Sequence, residues 1–249
     1  MERNELVLLR LSNQYLLHAG ERMRVLCAMN GFQAQFLSNA LHAMRLRSTA
    51  YDTAHAADSL VKSWTLRGTM HIFAEADLPL FLHTGCRYRS RDWTVPSFWN
   101  QRPNWALTPK RQAYFSDLII DALAQGPMTR EALKARCRAA GMTQAEEGSI
   151  FHPWGGGIRE LCERGFLCGT VSEEKAFRLC PAFTPMEEQD ALLEQTRRYF
   201  TNYGPASIRD AAYYFGSSQA EIKKRLARLP VEAAECEGQR LFSLHSGRM

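Results

Sequence analysis

Gly126-Pro127-Met128-Thr129-Arg130-Glu131-Ala132 and Gly204-Pro205-Ala206-Ser207-Ile208-Arg209-Asp210 are two similar stretches of this sequence, and they lie 78 residues apart (204 minus 126). An apolar run precedes each stretch, at 114–124 and at 192–203. A glycine followed by a proline typically ends a helix, and Thr129 and Ser207 have the side chains of helix N-caps. The repeat therefore predicts two copies of one helical unit.

Both copies continue in the same order, with a third helix and then two strands joined by a short turn. These elements are expected at 157–164, 166–171 and 176–179 in the first copy, and at 219–229, 231–236 and 240–244 in the second. Three helices followed by a hairpin is the order of a winged helix, which is a helix-turn-helix motif with a β-hairpin wing.

The first part of the chain predicts a looser third copy. Helices are expected at 6–17, 21–29 and 36–47, a fourth helical run at 59–66, and a wing strand at 69–73. We therefore expect a mainly α fold with small β-hairpin wings (α+β), built as three tandem winged-helix (helix-turn-helix) units. The units would span 1–82, 106–183 and 187–245, with a basic and aromatic linker at 83–105.

The charge of the chain favours a polyanionic partner. The 249 residues carry a net charge of +5, and 25 of the 31 basic residues are arginine, because only six are lysine. Arginine suits bidentate contacts with phosphate and guanine. The alternative is a mildly basic protein whose arginines are simply solvated, and charge alone does not decide between the two.

Several other classes of protein are not expected. The seven cysteines form no pair with the spacing of zinc ligands, and there is no phosphate loop or serine elbow, so we expect neither a metal nor another cofactor. The charged first five residues predict no signal peptide, and no apolar run reaches the length of a membrane span. We expect a reduced, cytoplasmic protein that binds no membrane.

The linker and one glycine-rich loop each allow two interpretations. Arg87, Arg89 and Arg91 belong to a stretch in which basic residues are interleaved with aromatic ones such as Tyr88 and Trp93. This pattern suits a nucleic-acid surface, although the rings could equally pack between domains. The loop at 152–157 contains three consecutive glycines before a helix, where an anion could bind. It lacks the Lys-Ser/Thr ending of a phosphate loop, so a flexible lead-in to the helix is the favoured interpretation.

Gly31-Phe32-Gln33-Ala34-Gln35 is the best candidate for chemistry. In an extended backbone Gln33 and Gln35 would point the same way, whereas in a helix they would diverge. A carboxamide is neutral and can orient water, but it is a weak base. It therefore suits a reaction whose leaving group is already activated, such as loss of a cationic alkylated purine. On residue type alone, two surface or capping glutamines would be the commoner explanation.

Three motifs together change that balance. The glutamine motif, the run Ser63-Trp64-Thr65-Leu66-Arg67-Gly68-Thr69-Met70-His71 and Tyr203-Gly204-Pro205-Ala206 resemble the winged-helix DNA glycosylases of the AlkZ/YcaQ type. The resemblance implies tandem winged helices and excision of N-alkylated purines, including those in interstrand crosslinks. It also implies that Gln33 and Gln35 position and activate the attacking water. Members of that family usually continue past the third winged helix into a β-rich C-terminal region. We therefore expect part of the lesion channel to be either missing from this chain or built otherwise.

We therefore expect a monofunctional DNA glycosylase that acts as a monomer on double-stranded DNA with alkylated bases, at the nucleoid in a bacterium. Candidate DNA-binding residues are Arg45, Arg47, Arg67, Thr69 and His71, besides the linker arginines. Arg45 and Arg47 could instead offset the dipole of their helix, Arg67 could form a structural ion pair, and His71 could be half-buried in the wing.

Two rival functions remain open at the level of sequence. Winged helices are more commonly transcription regulators than enzymes, although no heptad run for a dimerisation helix is present. A degenerate family member that binds damaged DNA without cutting it is the other alternative.

Overall fold

In the computed structural model of the chain, residues 1–52, 57–82, 87–172 and 174–244 are described. These residues form eleven α-helices and eight β-strands, which gives a mixed α/β molecule with a small antiparallel sheet. The prediction of a mainly helical chain with short strands agrees with this composition. None of the described helices is long and apolar enough to cross a membrane.

The first part of the chain contains four helices and three strands. They are α1 (Arg3–Asn13), α2 (Arg22–Ala28), β1 (Phe32–Gln33), α3 (Leu37–Arg45), β2 (Leu60–Trp64), β3 (Met70–Ala74) and α4 (Leu78–Phe81). The first three helices lie where the sequence predicted them, but each is shorter than predicted.

The fourth predicted helix, at 59–66, is wrong, because the structure has the strand β2 there. Five residues of β2 pair antiparallel with β3, and Val61 and Ser63 are buried on one face while Lys62 and Trp64 are half-buried on the other. This alternation is the signature of a strand. Pairing with β3 satisfies backbone groups that a short isolated helix would leave open, so tertiary context decides the outcome.

The middle of the chain forms four helices and three strands. They are α5 (Pro109–Leu123), β4 (Met128–Thr129), α6 (Arg130–Ala139), α7 (Gln144–Ile150), α8 (Gly156–Glu163), β5 (Leu167–Gly169) and β6 (Ala176–Leu179). The Thr129 hydroxyl accepts a hydrogen bond from the Ala132 N–H, which confirms this residue as the predicted N-cap of α6.

The last part forms three helices and a hairpin. They are α9 (Glu188–Asn202), α10 (Ile208–Phe215), α11 (Gln219–Leu226), β7 (Glu232–Cys236) and β8 (Gln239–Ser243). Ser207 caps α10 as predicted, and its hydroxyl accepts from the Asp210 N–H while the Asp210 carboxylate accepts from the backbone N–H of Ser207. This reciprocal arrangement is a capping box.

The sheet joins the first two parts of the chain. Its six strands lie in the order β1-β3-β2-β5-β6-β4, and the pairing of Lys62 with Gly169 connects the two hairpins. The strands β7 and β8 form a separate two-stranded sheet. The division into three winged-helix units, with the boundaries given above, stays a prediction.

Candidate functional site

Gln33 lies in β1, at the edge of the six-stranded sheet, and Gln35 lies at the bend that follows this strand. Gln33 is paired with His71 of β3, and the Ala34 N–H donates to the Met70 carbonyl at 2.7 Å, which continues the ladder. Both glutamines are exposed, while Ala34 between them is fully buried. The Gln33 Nε2 donates a hydrogen bond to the Gln35 Oε1 at 2.9 Å. The two carboxamides therefore converge, as an extended turn requires.

Gly31 permits this close pairing of β1 with β3. Its φ is +74°, a region that side-chain-bearing residues rarely adopt. A Cβ at this position would lie 2.4 Å from the Ile72 carbonyl oxygen, so only glycine lets the chain enter β1 this close to β3. The glycine thus determines where the two carboxamides are placed.

The hydrogen bond between the two carboxamides uses only part of their capacity. A primary amide has two N–H donors and an oxygen with two lone pairs. The Gln33 oxygen and the Gln35 NH₂ group are not used in the contact between them. The pair can therefore accept a hydrogen bond from one group and donate to another, which is what holding a water molecule in a fixed orientation requires.

Gln35 lines a cavity of about 520 Å³, here called the basic cleft. The cleft lies between the first and middle parts of the chain. Its basic side chains are Lys62, Arg130, Lys134 and Lys175, and its aromatic side chains are Trp64, Phe151, Trp154 and Phe177. None of the described residues that line it is acidic. Such a surface favours an anion that carries flat apolar groups, and a nucleic acid strand is of that kind.

The four basic groups of the cleft differ in how they are held. Both Arg130 and Lys134 are engaged within the protein, because Arg130 donates to the carbonyls of Phe151 and His152 and Lys134 pairs with Glu131. Lys62 is half-buried, and burial together with the nearby ammonium group of Lys175 lowers its pKa. No carboxylate of the described residues pairs with Lys62 or Lys175 within salt-bridge distance.

His71 is buried behind the glutamine pair, with 5% of its surface exposed. Directly opposed residues of antiparallel strands share a face, so its side chain lies on the same face as that of Gln33. Its Nδ1 lies 3.0 Å from the Thr69 carbonyl oxygen. Burial lowers the pKa of His71 to about 4, although the Thr69 carbonyl opposes that shift. The imidazole is therefore neutral at neutral pH. It can form hydrogen bonds, but it adds no positive charge to the site.

Arg67 and Thr69 belong to the tight turn that precedes β3. Arg67 is exposed, has a φ of +54°, and packs over the rings of Tyr213 and Tyr214 at 5.7 and 5.9 Å. The Thr69 hydroxyl donates to the Leu66 carbonyl at 3.1 Å, and the residue lines the basic cleft. Among the described residues, Arg67 therefore has two aromatic neighbours and no carboxylate within salt-bridge distance, and it is exposed to solvent.

Arg45 and Arg47 differ although only one residue separates them. Arg45 ends α3 and is exposed. Arg47 is half-buried, donates from Nη1 to the Ala43 carbonyl at 2.9 Å, and lies over the Phe32 ring at 5.7 Å. Burial lowers the pKa of Arg47. Its contact with a last-turn carbonyl agrees with the dipole-offsetting alternative.

The linker arginines are tied to the protein. Arg87 donates to the Pro96 carbonyl, Arg89 to the carbonyls of Gly165 and Cys180, and Arg91 pairs with Asp117. In the same segment Trp93 and Trp99 are buried. These contacts support the interpretation in which the linker packs against the rest of the protein. The three arginines are nevertheless exposed residues, while residues 83–86 of the predicted linker lie outside the described residues.

The glycine-rich loop is fitted closely against its surroundings. A Cβ at Gly156 would lie 2.2 Å from the Ser149 carbonyl oxygen, and one at Gly155 would lie 2.7 Å from the Arg159 side chain. Both glycines have positive φ, at +61° and +139°. The glycines therefore serve close packing at the start of α8, which replaces the flexible lead-in expected from the sequence.

Sequence reasoning did not single out five residues that line the basic cleft: Lys62, Arg130, Lys134, Trp154 and Lys175. They come from β2, α6, the glycine-rich loop and the turn before β6, so only the fold brings them together. One signal was available. Lys175 lies in the predicted wing turn, and lysine is a side chain that binds the phosphates of nucleic acid.

Comparison with known proteins identifies one family that the chain matches over most of its length. The sequence model of the AlkZ-like family, whose description is "DNA glycosylase AlkZ-like", matches residues 26–248. An interstrand DNA cross-link repair glycosylase of Streptomyces sahachiroi is 28% identical, with the match covering 86% of this chain and 61% of that protein. The chain thus spans about three fifths of the length of this relative. The solved structure of Streptomyces sahachiroi DNA glycosylase AlkZ shares the fold, with a TM-score of 0.73 at 23% identity over 98% of this chain and 70% of that one.

Proposed function

Because the chain belongs to the AlkZ-like family of DNA glycosylases, we propose that it hydrolyses the N-glycosidic bond of alkylated purines in DNA. Gln33 and Gln35 are the proposed catalytic residues. The observation that carries the proposal is the contact between their carboxamides, 2.9 Å long, beside a cleft whose described lining is basic and aromatic with no acidic residue.

The proposed chemistry needs no strong base. A purine alkylated at N7 or N3 is cationic, so the electron pair of the breaking C1′–N9 bond neutralises a positive charge as the base leaves. Water adds to C1′ of the oxocarbenium-like sugar and loses one proton to solvent, which leaves an abasic site. The Gln33 oxygen and the Gln35 NH₂ group would hold that water, so positioning contributes the rate enhancement.

The substrate is proposed to be double-stranded DNA that carries an alkylated purine, including a crosslinked one. The Streptomyces relative is an interstrand DNA cross-link repair glycosylase, and this likeness supports the crosslink part of the proposal. Thr69, which lines the basic cleft together with Gln35, is a proposed DNA contact. Further proposed contacts are Arg45, Arg67, Arg87, Arg89 and Arg91. His71, which pairs with Gln33 across β1 and β3, is proposed to support the glutamine pair as a neutral side chain.

Three tandem winged-helix units are proposed to surround the duplex as one monomer. Their support is the order of elements, since each hairpin β2–β3, β5–β6 and β7–β8 follows a group of helices. The free thiols of the six described cysteines are compatible with the proposed cytoplasmic, nucleoid-associated location.

The proposal is tested by base release from a duplex that contains one N7-methylguanine, followed by alkaline cleavage at the abasic site. We expect the native protein to release the base and Gln35→Ala to be slower by at least about 100-fold. Gln125→Ala, at an exposed glutamine after α5, is the matched control and should retain full activity. A native protein as inactive as Gln35→Ala would contradict catalysis. If it still bound the duplex, the non-catalytic DNA-binding alternative would replace the proposal.

A further inference from the structure

Trp154 is exposed at the mouth of the basic cleft although it is the largest apolar side chain in its loop. It has 73% of its surface exposed, whereas Trp93 and Trp99 have 4% and 3%. An exposed tryptophan loses the free energy of burial that the other rings gain. Such a residue at the edge of a basic cavity is typical of a surface that meets another molecule.

The loop that carries Trp154 is held in place from several sides. The Arg130 guanidinium donates to the carbonyls of Phe151 and His152, at 2.5 and 2.8 Å. The His152 ring lies 5.3 Å from the Trp99 ring, and its Nδ1 accepts from the Trp154 N–H at 3.2 Å. The backbone beneath the exposed ring is therefore fixed before any ligand arrives, which lowers the entropy lost when the ring binds.

Lys62 and Lys175 give the same cleft a second binding feature. Lys62 on β2 and Lys175 in the turn before β6 both line the cleft, and Lys62 is half-buried. Burial lowers the pKa of Lys62, and repulsion from the nearby ammonium group of Lys175 lowers it further. Two cations held near each other, with no carboxylate partner among the described residues, are stabilised when an anion lies between them. A phosphate group has the charge and the acceptor oxygens for that position.

We propose that Trp154 stacks on a nucleobase of the bound strand while Lys62 and Lys175 bind a phosphate of the same strand. The inference rests on the proposed function, because it identifies how one strand is held beside Gln35. An aromatic ring and a cation pair in one cavity match the two parts of a nucleotide, the base and the phosphate. The base that stacks is the purine to be released or its direct neighbour.

The test measures binding rather than catalysis. It uses the full chain carrying Gln35→Ala, so that the lesion is not removed, and a 16-base-pair duplex with one N7-methylguanine. We expect the duplex to quench the tryptophan fluorescence, because stacking on a base quenches an indole. The additional substitution Trp154→Phe should remove most of this change and keep much of the affinity. Trp154→Ala should weaken binding by about tenfold or more.

The phosphate part has its own readout. Replacing Lys62 and Lys175 together by methionine should reduce the slope of log Kd against log salt by about one to two, since each lysine bound to phosphate contributes roughly one. Lys224→Met is the matched control, because Lys224 is an exposed lysine on α11 that pairs with Glu221. It should leave the slope unchanged.

The control for the aromatic part is Tyr114→Ala, at a ring on α5 with 49% of its surface exposed. Equal affinity of Trp154→Ala and Tyr114→Ala, or an unchanged salt slope in the double lysine variant, would overturn the inference. Absence of base release by the native protein would contradict the proposed catalysis and would leave these binding results intact.

Discussion

Individual residues in this protein have their roles set by whether the fold buries, exposes or pairs them. Gln33 and Gln35 are exposed and face each other, while Ala34 between them is buried. His71 behind them is buried and neutral, because burial lowers its pKa to about 4. The residues proposed to act on a cationic purine are thus themselves uncharged, which avoids repulsion of the substrate.

The buried His71 predicts a pH dependence of stability. Its pKa is lower in the folded chain than in the unfolded chain, where a histidine has a pKa of about 6.5. Acid therefore protonates the unfolded chain first. The free energy of unfolding falls as the pH drops from about 7 to 4, and this group causes no further loss below that. We expect the free energy of unfolding of the native protein to be about 2 kcal/mol lower at pH 5 than at pH 7.5 from this cause.

Urea unfolding at those two pH values measures this effect. His71→Asn should flatten the pH dependence by that amount, because asparagine does not titrate. His18→Asn, at an exposed histidine, is the control and should keep the dependence of the native protein. An equal pH dependence in His71→Asn would show that the imidazole is not held neutral in the folded state.

The position of a single helix or strand depends on glycines where two backbone segments pass close together. It depends on them as much as on the periodicity of the apolar residues. β1 can run beside β3 because Gly31 brings the chain within a distance that a side chain would block. α8 begins against α7 because Gly156 packs on the Ser149 carbonyl. The first contact places the glutamine pair, and the second fixes the loop that carries Trp154.

A pair of glycine substitutions tests this account of α8. Gly156→Ala should destabilise the protein by about 2 kcal/mol or more, because a Cβ would lie 2.2 Å from the Ser149 oxygen at a φ of +61°. Gly148→Ala, inside α7 with no atom within 4 Å of the added Cβ, should instead stabilise it by about 0.5–1 kcal/mol. Thermal unfolding of both variants measures the difference. Equal effects would contradict the packing role of Gly156.

Elements with local signals were predictable from the sequence, and those that depend on distant partners were not. Thr129 and Ser207 cap their helices as expected, because a capping hydroxyl acts within three residues. β2 was predicted as a helix, because its identity depends on pairing with β3 and β5. The convergence of Gln33 and Gln35 was predictable from an extended turn. Lys62, Trp154 and Lys175 were not, because only the tertiary fold brings them into one cleft.

At the scale of the whole molecule, the basic cleft exists because two parts of the chain share one sheet and are joined by side-chain contacts. The Lys62 and Gly169 pairing joins β2 to β5. Arg159 of α8 donates from Nη1 to the Gly68 carbonyl at 3.2 Å and from Nε to Glu163 at 2.7 Å. This arginine connects the turn before β3 to the middle part of the chain, so it sets how the two sides of the cleft face each other.

Arg159→Ala should therefore reduce catalysis more than stability. Small displacements of a positioned group cost much of its rate enhancement, so we expect base release to fall by about 10- to 100-fold. Arg138→Ala, which breaks an exposed pair with Glu147 away from the cleft, is the control and should retain its rate. Single-turnover rates and urea unfolding of both variants separate the two effects. Equal rates in the two variants would contradict a positioning role for Arg159.

The central claim is that Gln33 and Gln35 act as one unit, and a double-mutant cycle on base release tests it most directly. The measurement is the single-turnover release of N7-methylguanine from duplex DNA by the native protein, Gln33→Ala, Gln35→Ala and the double variant. We predict that each single substitution lowers the rate by about 100-fold or more, and that the double variant is no slower than the slower single variant. A double variant slower than the slower single variant by a further factor of about 100 would show two independent contributions and would contradict the account, as would a double variant as fast as the native protein.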